Sequence, residues 1–161
     1  MQLDGATVGT LTLGLDSPAG LAIDATFPAE VMAVRERPGA LLCELTKLAF
    51  DAAQSRPLLA ALFGAILEYG VEQYGCTHVL IEVSPIHQRF YERMLGFEVF
   101  GSTRLNHQVG TQAVAMKIEV TAILRRAAEQ AGHSLYAQFS PDTGILQLSG
   151  AGTSASLDVR P

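Results

Sequence analysis

The sequence predicts a single α/β domain, and three observations predict it. Residues 7–14, Thr-Val-Gly-Thr-Leu-Thr-Leu-Gly, alternate apolar and polar side chains with the period of two that marks a half-buried strand. Residues 40–50 are a near-continuous apolar run, the pattern of a central strand covered on both faces, and residues 77–84 read as a further apolar strand. Between them Leu59, Leu62, Phe63, Ile66 and Leu67 fall at the three- and four-residue spacings of one helix face. A chain of 161 residues has the size of one domain, burying roughly two-thirds of the surface its unfolded form exposes.

After the first strand, residues 16–20, Asp-Ser-Pro-Ala-Gly, carry turn chemistry, so residues 21–24 are expected to pair back and complete a hairpin over 6–24. Residues 28–35 suit a short helix with Pro28 in its first turn, followed by a charged loop at 35–39. The strand at 40–50 would place Leu42, Glu44, Thr46 and Leu48 on one face. Leu41, Cys43, Leu45, Lys47 and Ala49 would lie on the other. The helix over 55–74 has Ser55 as cap and Pro57 in its first turn, and Gly75 ends it. Strand 77–84, helix 86–95, strands 97–104 and 111–120 and an amphipathic helix from 122 to 130 complete the domain, taken as residues 1–133. Residues 134–161, rich in Gly, Ser, Thr and Ala, read as a mobile or partly ordered tail, with a short strand at 144–148 as the alternative.

Composition narrows the functional classes. The chain is 48% hydrophobic and only 17% charged, below the share of about 25% usual for soluble domains. Net charge is −5 and the longest basic run is the pair Arg125-Arg126, which disfavours nucleic-acid binding. Arg35, Arg37, Lys47, Arg56, Arg89 and Arg93 still allow a local basic patch for an acidic protein partner. No stretch reaches the roughly 18–20 apolar residues of a membrane span, and the first residues lack signal-peptide character, so a cytoplasmic location is expected. Cys43 and Cys76, in apolar settings, are expected to be reduced, buried and structural. Neither a metal-ligand spacing nor a Gly-x-Ser-x-Gly elbow occurs.

The most informative segment is residues 90–97, Phe-Tyr-Glu-Arg-Met-Leu-Gly-Phe, preceded by the apolar strand 77–84 and the connector Pro-Ile-His-Gln-Arg. A strand, a short helix carrying an aromatic pair, then Leu-Gly-Phe opening a further strand resembles the GNAT superfamily of N-acyltransferases. More narrowly, residues 4–13 (Asp-Gly-Ala-Thr-Val-Gly-Thr-Leu-Thr-Leu), 43–49 (Cys-Glu-Leu-Thr-Lys-Leu-Ala), 81–91 and 94–97 resemble the long-chain N-acyl amino acid synthases, over about residues 4–120. The resemblance implies a mixed, mostly antiparallel central sheet flanked by helices, lacking the family's usual first strand and helices. It implies transfer of a fatty acyl group from acyl carrier protein to an amino acid amine. No permanently bound cofactor is expected; acyl-phosphopantetheine on the carrier protein, or acyl-CoA, is the donor substrate.

The donor loop departs from the superfamily pattern. Where that pattern places glycines so that backbone N–H groups cradle a pyrophosphate, this chain has residues 54–59, Gln-Ser-Arg-Pro-Leu-Leu. Pro57 removes a donor and Leu59 obstructs close approach, which favours a carrier-protein donor over coenzyme A, with Gln54, Ser55 and Arg56 as donor contacts. The alternatives are a truncated, inactive domain that binds acyl-pantetheine or a protein partner, and an ordinary acetyl-CoA-dependent acetyltransferase. An unpaired strand edge left by missing elements would favour a homodimer.

Amide formation from a thioester needs a neutral amine, a stabilised oxyanion and a proton for the thiolate. Glu44, in a strand expected to line the cleft, is the candidate base, or else it pairs with Lys47 across a bulge or with an Arg. Tyr91 is the candidate proton donor to the sulfur, or else packs beside Phe90. His87 is either a base or acceptor-carboxylate ligand, or a surface residue. Glu82, an unusual charge within an apolar strand, is a substrate carboxylate or pairs with Arg89 or Arg93. Lys47, Leu48, Arg56, Phe63, Glu82 and Arg89 complete the candidate substrate contacts, Phe63 as one wall of an acyl tunnel or as plain core.

Overall fold

The computed structural model of the chain describes residues 2–3, 6–7, 9–50, 66–129 and 158–160. β1 (Gln2–Leu3) and β2 (Ala6–Thr7) form a small ribbon. β3 (Gly9–Leu15), α1 (Pro28–Arg35) and β4 (Leu42–Phe50) follow, then α2 (Ile66–Gln73), wound as a π-helix, and β5 (His78–Val83). α3 (Gln88–Phe90) runs into a π-helical turn, Tyr91–Leu95, before β6 (Glu98–Asn106), β7 (Thr111–Glu119), α4 (Val120–Glu129) and β8 (Asp158–Arg160). One sheet of order β6-β7-β5-β4-β3-β8 carries the fold; it is antiparallel except at β4/β5 and β3/β8. This is the mixed, mostly antiparallel sheet flanked by helices that the family resemblance implies.

The apolar run at 40–50 does become the central strand β4, the strand expected at 77–84 becomes its neighbour β5, and each buries both faces. One face packs Leu13, Cys43, Leu45, Val79, Ile81, Val114, Met116 and Ile118 against Leu95, Phe97 and Ile123. The other packs Leu42, Leu80, Ala113 and Ala115 against Ile23, Phe27, Val31 and Val34, from α1 and the turn before it. We call the second the α1 face. Cys43 and Cys76 are free thiols, both buried.

Residues 21–24 do not form the expected pairing strand. Ala22–Ala25 is a 3-10 turn, because Asp24 folds its carboxylate back onto the Leu21 N–H at 2.7 Å while Ile23 drops into the core. β3 takes its antiparallel partner from β4 instead. The first part of the expected helix over 55–74, the 144–148 strand and the boundary at residue 133 lie outside the described residues. Within the tail, β8 adds three residues to the β3 edge, Asp158↔Thr12, Val159↔Leu13 and Arg160↔Gly14.

Two features of β4 shape the centre of the sheet. Its register with β3 shifts between Thr12↔Thr46 and Thr10↔Ala49, so Lys47 and Leu48 together oppose Leu11. This is a β-bulge, and Lys47 takes the left-handed φ of 54° within it. The strict alternation expected over 40–50 therefore ends at Thr46. In addition, the parallel β4/β5 register runs from Leu42↔His78 to Leu45↔Ile81 and no further, although β4 continues to Phe50 and β5 to Val83. The two central strands part at mid-sheet.

Candidate active site

Glu44 sits one residue before this split, on the α1 face, at 2% exposure. The 3-10 turn presents its backbone to the carboxylate, and the Ile23 N–H donates to Oε2 at 3.2 Å. Burial pushes the Glu44 carboxyl up to about 7, against the lowering effect of the Ile23 and Ala22 N–H groups and with help from the charges of Glu82 and Asp24. A carboxyl poised near neutrality can accept a proton and return it at physiological pH.

The turn is itself braced. Arg35, at the end of α1, donates from Nε and Nη2 to Asp16 at 2.6 and 2.9 Å, and from Nη1 and Nη2 to Asp24 at 3.2 and 2.8 Å. Burial alone would raise Asp24, but the Arg35 hydrogen bonds, the Leu21 N–H and the guanidinium charge outweigh it and lower the carboxyl. Arg35 is thus tied into the fold and does not supply the basic patch read from the sequence, while Arg37, half-exposed, lies 3.8 Å from Glu119.

Glu82 lies on the same face, two residues beyond Leu80, the register partner of Glu44. Its hydrogen-bond partner is neither Arg89 nor Arg93, the two suggested by the sequence. Asn106, at the end of β6, donates from Nδ2 to Glu82 Oε1 at 2.5 Å. The antiparallel register explains the substitution: β7 lies between β5 and β6 and brings the β6–β7 turn alongside the end of β5, while α3 leaves on the other side. Asn106 was missed from sequence. An Asn before the 107–110 turn signals that its oxygen caps the turn, but nothing local reveals where its amide group points.

Tyr91 approaches from the opposite face. Its ring packs edge-on to Phe90 (5.4 Å between centroids) and Phe97 (6.0 Å), against the core beneath α3. Burial raises its hydroxyl further above its ordinary range, so it is protonated at neutral pH and able to donate. The π-helical turn that begins at Tyr91 ends at Gly96, whose φ of 80° lets its own N–H reach Glu92 and the Phe97 N–H reach Tyr91.

His87 is exposed in the 3-10 turn Pro85–His87 after β5, and Arg89 is exposed on α3. Lys47 is exposed at the bulge. Leu48 belongs to β4, but its side chain lies outside the described residues, as do Gln54, Ser55, Arg56 and Phe63 altogether. The fold therefore gathers Glu44 and Glu82 on one face of the split, Tyr91 on the other, and His87 and Arg89 on the segment leaving β5. No helix among the described residues is long and apolar enough to cross a membrane.

The family model of the N-acyl amino acid synthase FeeM matches residues 1–119. The structure of FeeM, an N-acyl amino acid synthase from uncultured soil microbes, superposes with a TM-score of 0.64 at 25% identity, over 75% of this chain and 70% of that one. The AHL synthase LasI shares the fold with a TM-score of 0.51 at 21% identity, over 73% of this chain and 61% of its own. The CoA-dependent acyl-homoserine lactone synthase BjaI does so with 0.51 at 20%, over 74% of this chain and 56% of its own. The chain thus spans less than two thirds of these two synthases. No curated protein sequence matches it. With three quarters of its length in that model and its strands in that arrangement, the chain belongs to the family of the N-acyl amino acid synthase FeeM and is a GNAT-like acyltransferase that acylates an amine.

Proposed function

We propose that the protein transfers a fatty acyl group from an acyl carrier protein thioester to the amine of an amino acid, with the reacting carbonyl lodged where β4 and β5 part. The observation that carries this reading is the split itself, flanked by a carboxyl near neutrality on one face and a protonated phenol on the other. The acceptor enters on the α1 face, where Glu44 takes the ammonium proton through a water, since the carboxylate is itself enclosed. The freed amine attacks the thioester carbonyl. Backbone N–H groups of β4 beyond Leu45, no longer facing β5, stabilise the tetrahedral oxyanion. Collapse breaks the C–S bond, Tyr91 donates its proton to the departing thiolate, and the nitrogen's second proton returns through water to the Tyr91 phenolate.

The choice of donor rests on residues 54–59, where Pro57 and Leu59 stand in place of a glycine cradle. A carrier protein holds its own phosphopantetheine and has less need of that cradle than free coenzyme A. The BjaI enzyme, which shares the fold, is CoA-dependent, so the donor must be tested directly. The cytoplasm is the setting that supplies both proposed substrates.

The test pairs acyl carrier protein and coenzyme A thioesters of the same acyl chains with pooled amino acids, and identifies N-acyl products by mass. Product from the carrier-protein thioester at the higher kcat/KM supports the proposal. Faster turnover of acyl-CoA reassigns the donor, and no product from either overturns the reading.

A further inference from the structure

Two carboxylates share the α1 face at the split, and the reaction just described uses one. Glu44 is enclosed and already accepts the Ile23 N–H. Glu82 is half-buried at the point where β5 leaves β4, so it borders the space the acceptor must enter.

The side chain of Asn106 is held at both ends. Its Oδ1 accepts the N–H groups of Gln108 at 2.8 Å and Val109 at 3.2 Å, and its backbone carbonyl accepts the Gly110 N–H at 2.8 Å. Because those turn groups can only donate, the amide oxygen must face the turn. The amide nitrogen must then face Glu82, which it meets at 2.5 Å. The β6–β7 turn thereby fixes the direction of a carboxylate on another strand. Glu82 Oε1 is committed to this bond, and Oε2 has no hydrogen-bond partner among the described residues. A carboxylate aimed by a fixed donor, beside the β4/β5 split and with its second oxygen unpartnered among the described residues, suits an alkylammonium. That cation brings three N–H donors and loses its water on entering.

We propose that Glu82 is the subsite for the acceptor's ammonium group, and that Asn106 is the positioning residue that aims it. The inference rests on the reading of the protein as an acyltransferase with an amino acid acceptor, and divides the labour on the α1 face. Glu82 binds the cation and Glu44 removes its proton.

The test compares the wild-type protein with Glu82→Gln, Asn106→Ala and Asn106→Asp, varying acceptor at saturating donor. Asn106→Asp is the informative variant. It keeps the oxygen that caps the Gln108 and Val109 N–H groups, so the turn is retained, but it sets an oxygen where the amide donor met Glu82. All three variants should raise the acceptor KM by about tenfold, kcat should fall less than KM rises, and donor KM should hold. The Glu82→Gln/Asn106→Ala double variant should be no worse than Glu82→Gln alone. An Asn106→Asp variant with wild-type acceptor KM would mean that Asn106 serves only the turn, and additive losses would mean that it does not act through Glu82; either overturns the proposal. Calorimetric titration of the four proteins with an amino acid, without donor, separates this from failure of the acyl-transfer reading. If the wild type makes no N-acyl product but binds the amino acid, and Glu82→Gln and Asn106→Asp do not, the subsite stands. Equal binding by all four removes it.

Discussion

Glu44 is where burial, strand geometry and chemistry meet. Its carboxyl, ordinarily near 4.5, stands near 7, so the native state holds the proton more tightly than the unfolded chain does. The stability this confers is complete below about 4.5 and is lost as pH rises toward 7, by on the order of 3 kcal/mol. Glu44→Gln keeps an oxygen for the Ile23 N–H and removes the titration. Its urea midpoint should exceed that of the wild type at pH 8, with no such gain at pH 4.5. The same change should cut kcat/KM about a hundredfold, and the wild-type acid limb should have an apparent pKa near 7. An acid limb that survives in Glu44→Gln would assign the base elsewhere. Tyr91 gives the complementary expectation. Tyr91→Phe keeps the ring contacts with Phe90 and Phe97 and therefore the stability, while kcat should fall by roughly a hundredfold. Thioesters with a low-pKa leaving thiol, which need less proton donation, should restore much of that rate. The positions of Glu44 and Tyr91, in a central strand and at the helix after β5, were legible in the sequence because each interrupts or decorates a strongly patterned element. Asn106 was not, because its significance depends on which strand lies two positions across the sheet.

At the scale of elements, the segment between β3 and β4 determines what Glu44 experiences. Its sequence is short, apolar and turn-flanked, which made a pairing strand the natural reading of residues 21–24. A four-residue run carries too little periodicity to distinguish a strand from a turn, and the deciding contacts, from Arg35 to Asp24 and from Asp24 to Leu21, include one that is eleven residues away in sequence. By contrast, α1 over Pro28–Arg35 was readable because Pro at its start is a local signal. The element is fastened to β6 at its other end. Phe27 packs on Gly101, the Arg104 guanidinium lies 4.7 Å from the Phe27 ring centroid, and Arg104 also pairs with Glu30. A Cβ at position 101 would meet Phe27 Cδ1 at 2.7 Å and the Ala115 Cβ at 3.0 Å. Gly101→Ala should therefore destabilise the protein by about 1–3 kcal/mol in urea unfolding, by displacing Phe27 and the turn behind it. Arg35→Ala should cost about 2 kcal/mol by leaving Asp16 and Asp24 without their shared cation. It should also shift the acid limb of kcat/KM, because the turn that holds Glu44 loosens. A lower stability with an unmoved acid limb would show that the brace and the base are independent.

The molecule as a whole is a sheet parted at its centre, with the Glu44 and Glu82 carboxyl groups on one face of the opening and the Tyr91 phenol on the other. Central strands are the readable part of such a fold, because burial on both faces writes a continuous apolar run; edges are not. β8, Asp-Val-Arg, has no pattern of its own, yet its three residues occupy the β3 edge at Thr12–Gly14. An open edge was the reason to expect a homodimer, and β8 meets that need from within the chain. A three-residue parallel pairing contributes few hydrogen bonds, so it is a cover that another strand could displace. Ending the chain at residue 157 should uncover the backbone groups of Thr12–Gly14 and produce self-association at micromolar concentration, seen as a concentration-dependent sedimentation coefficient. Val159→Pro, which removes a backbone donor from the middle of β8 without shortening the chain, should act in the same direction. The 161-residue chain should sediment independently of concentration over that range. If the shortened and 161-residue chains sediment alike, β8 is not what keeps copies apart. A dimer of the 161-residue chain that persists with β8 intact would mean that copies meet through a surface other than the β3 edge.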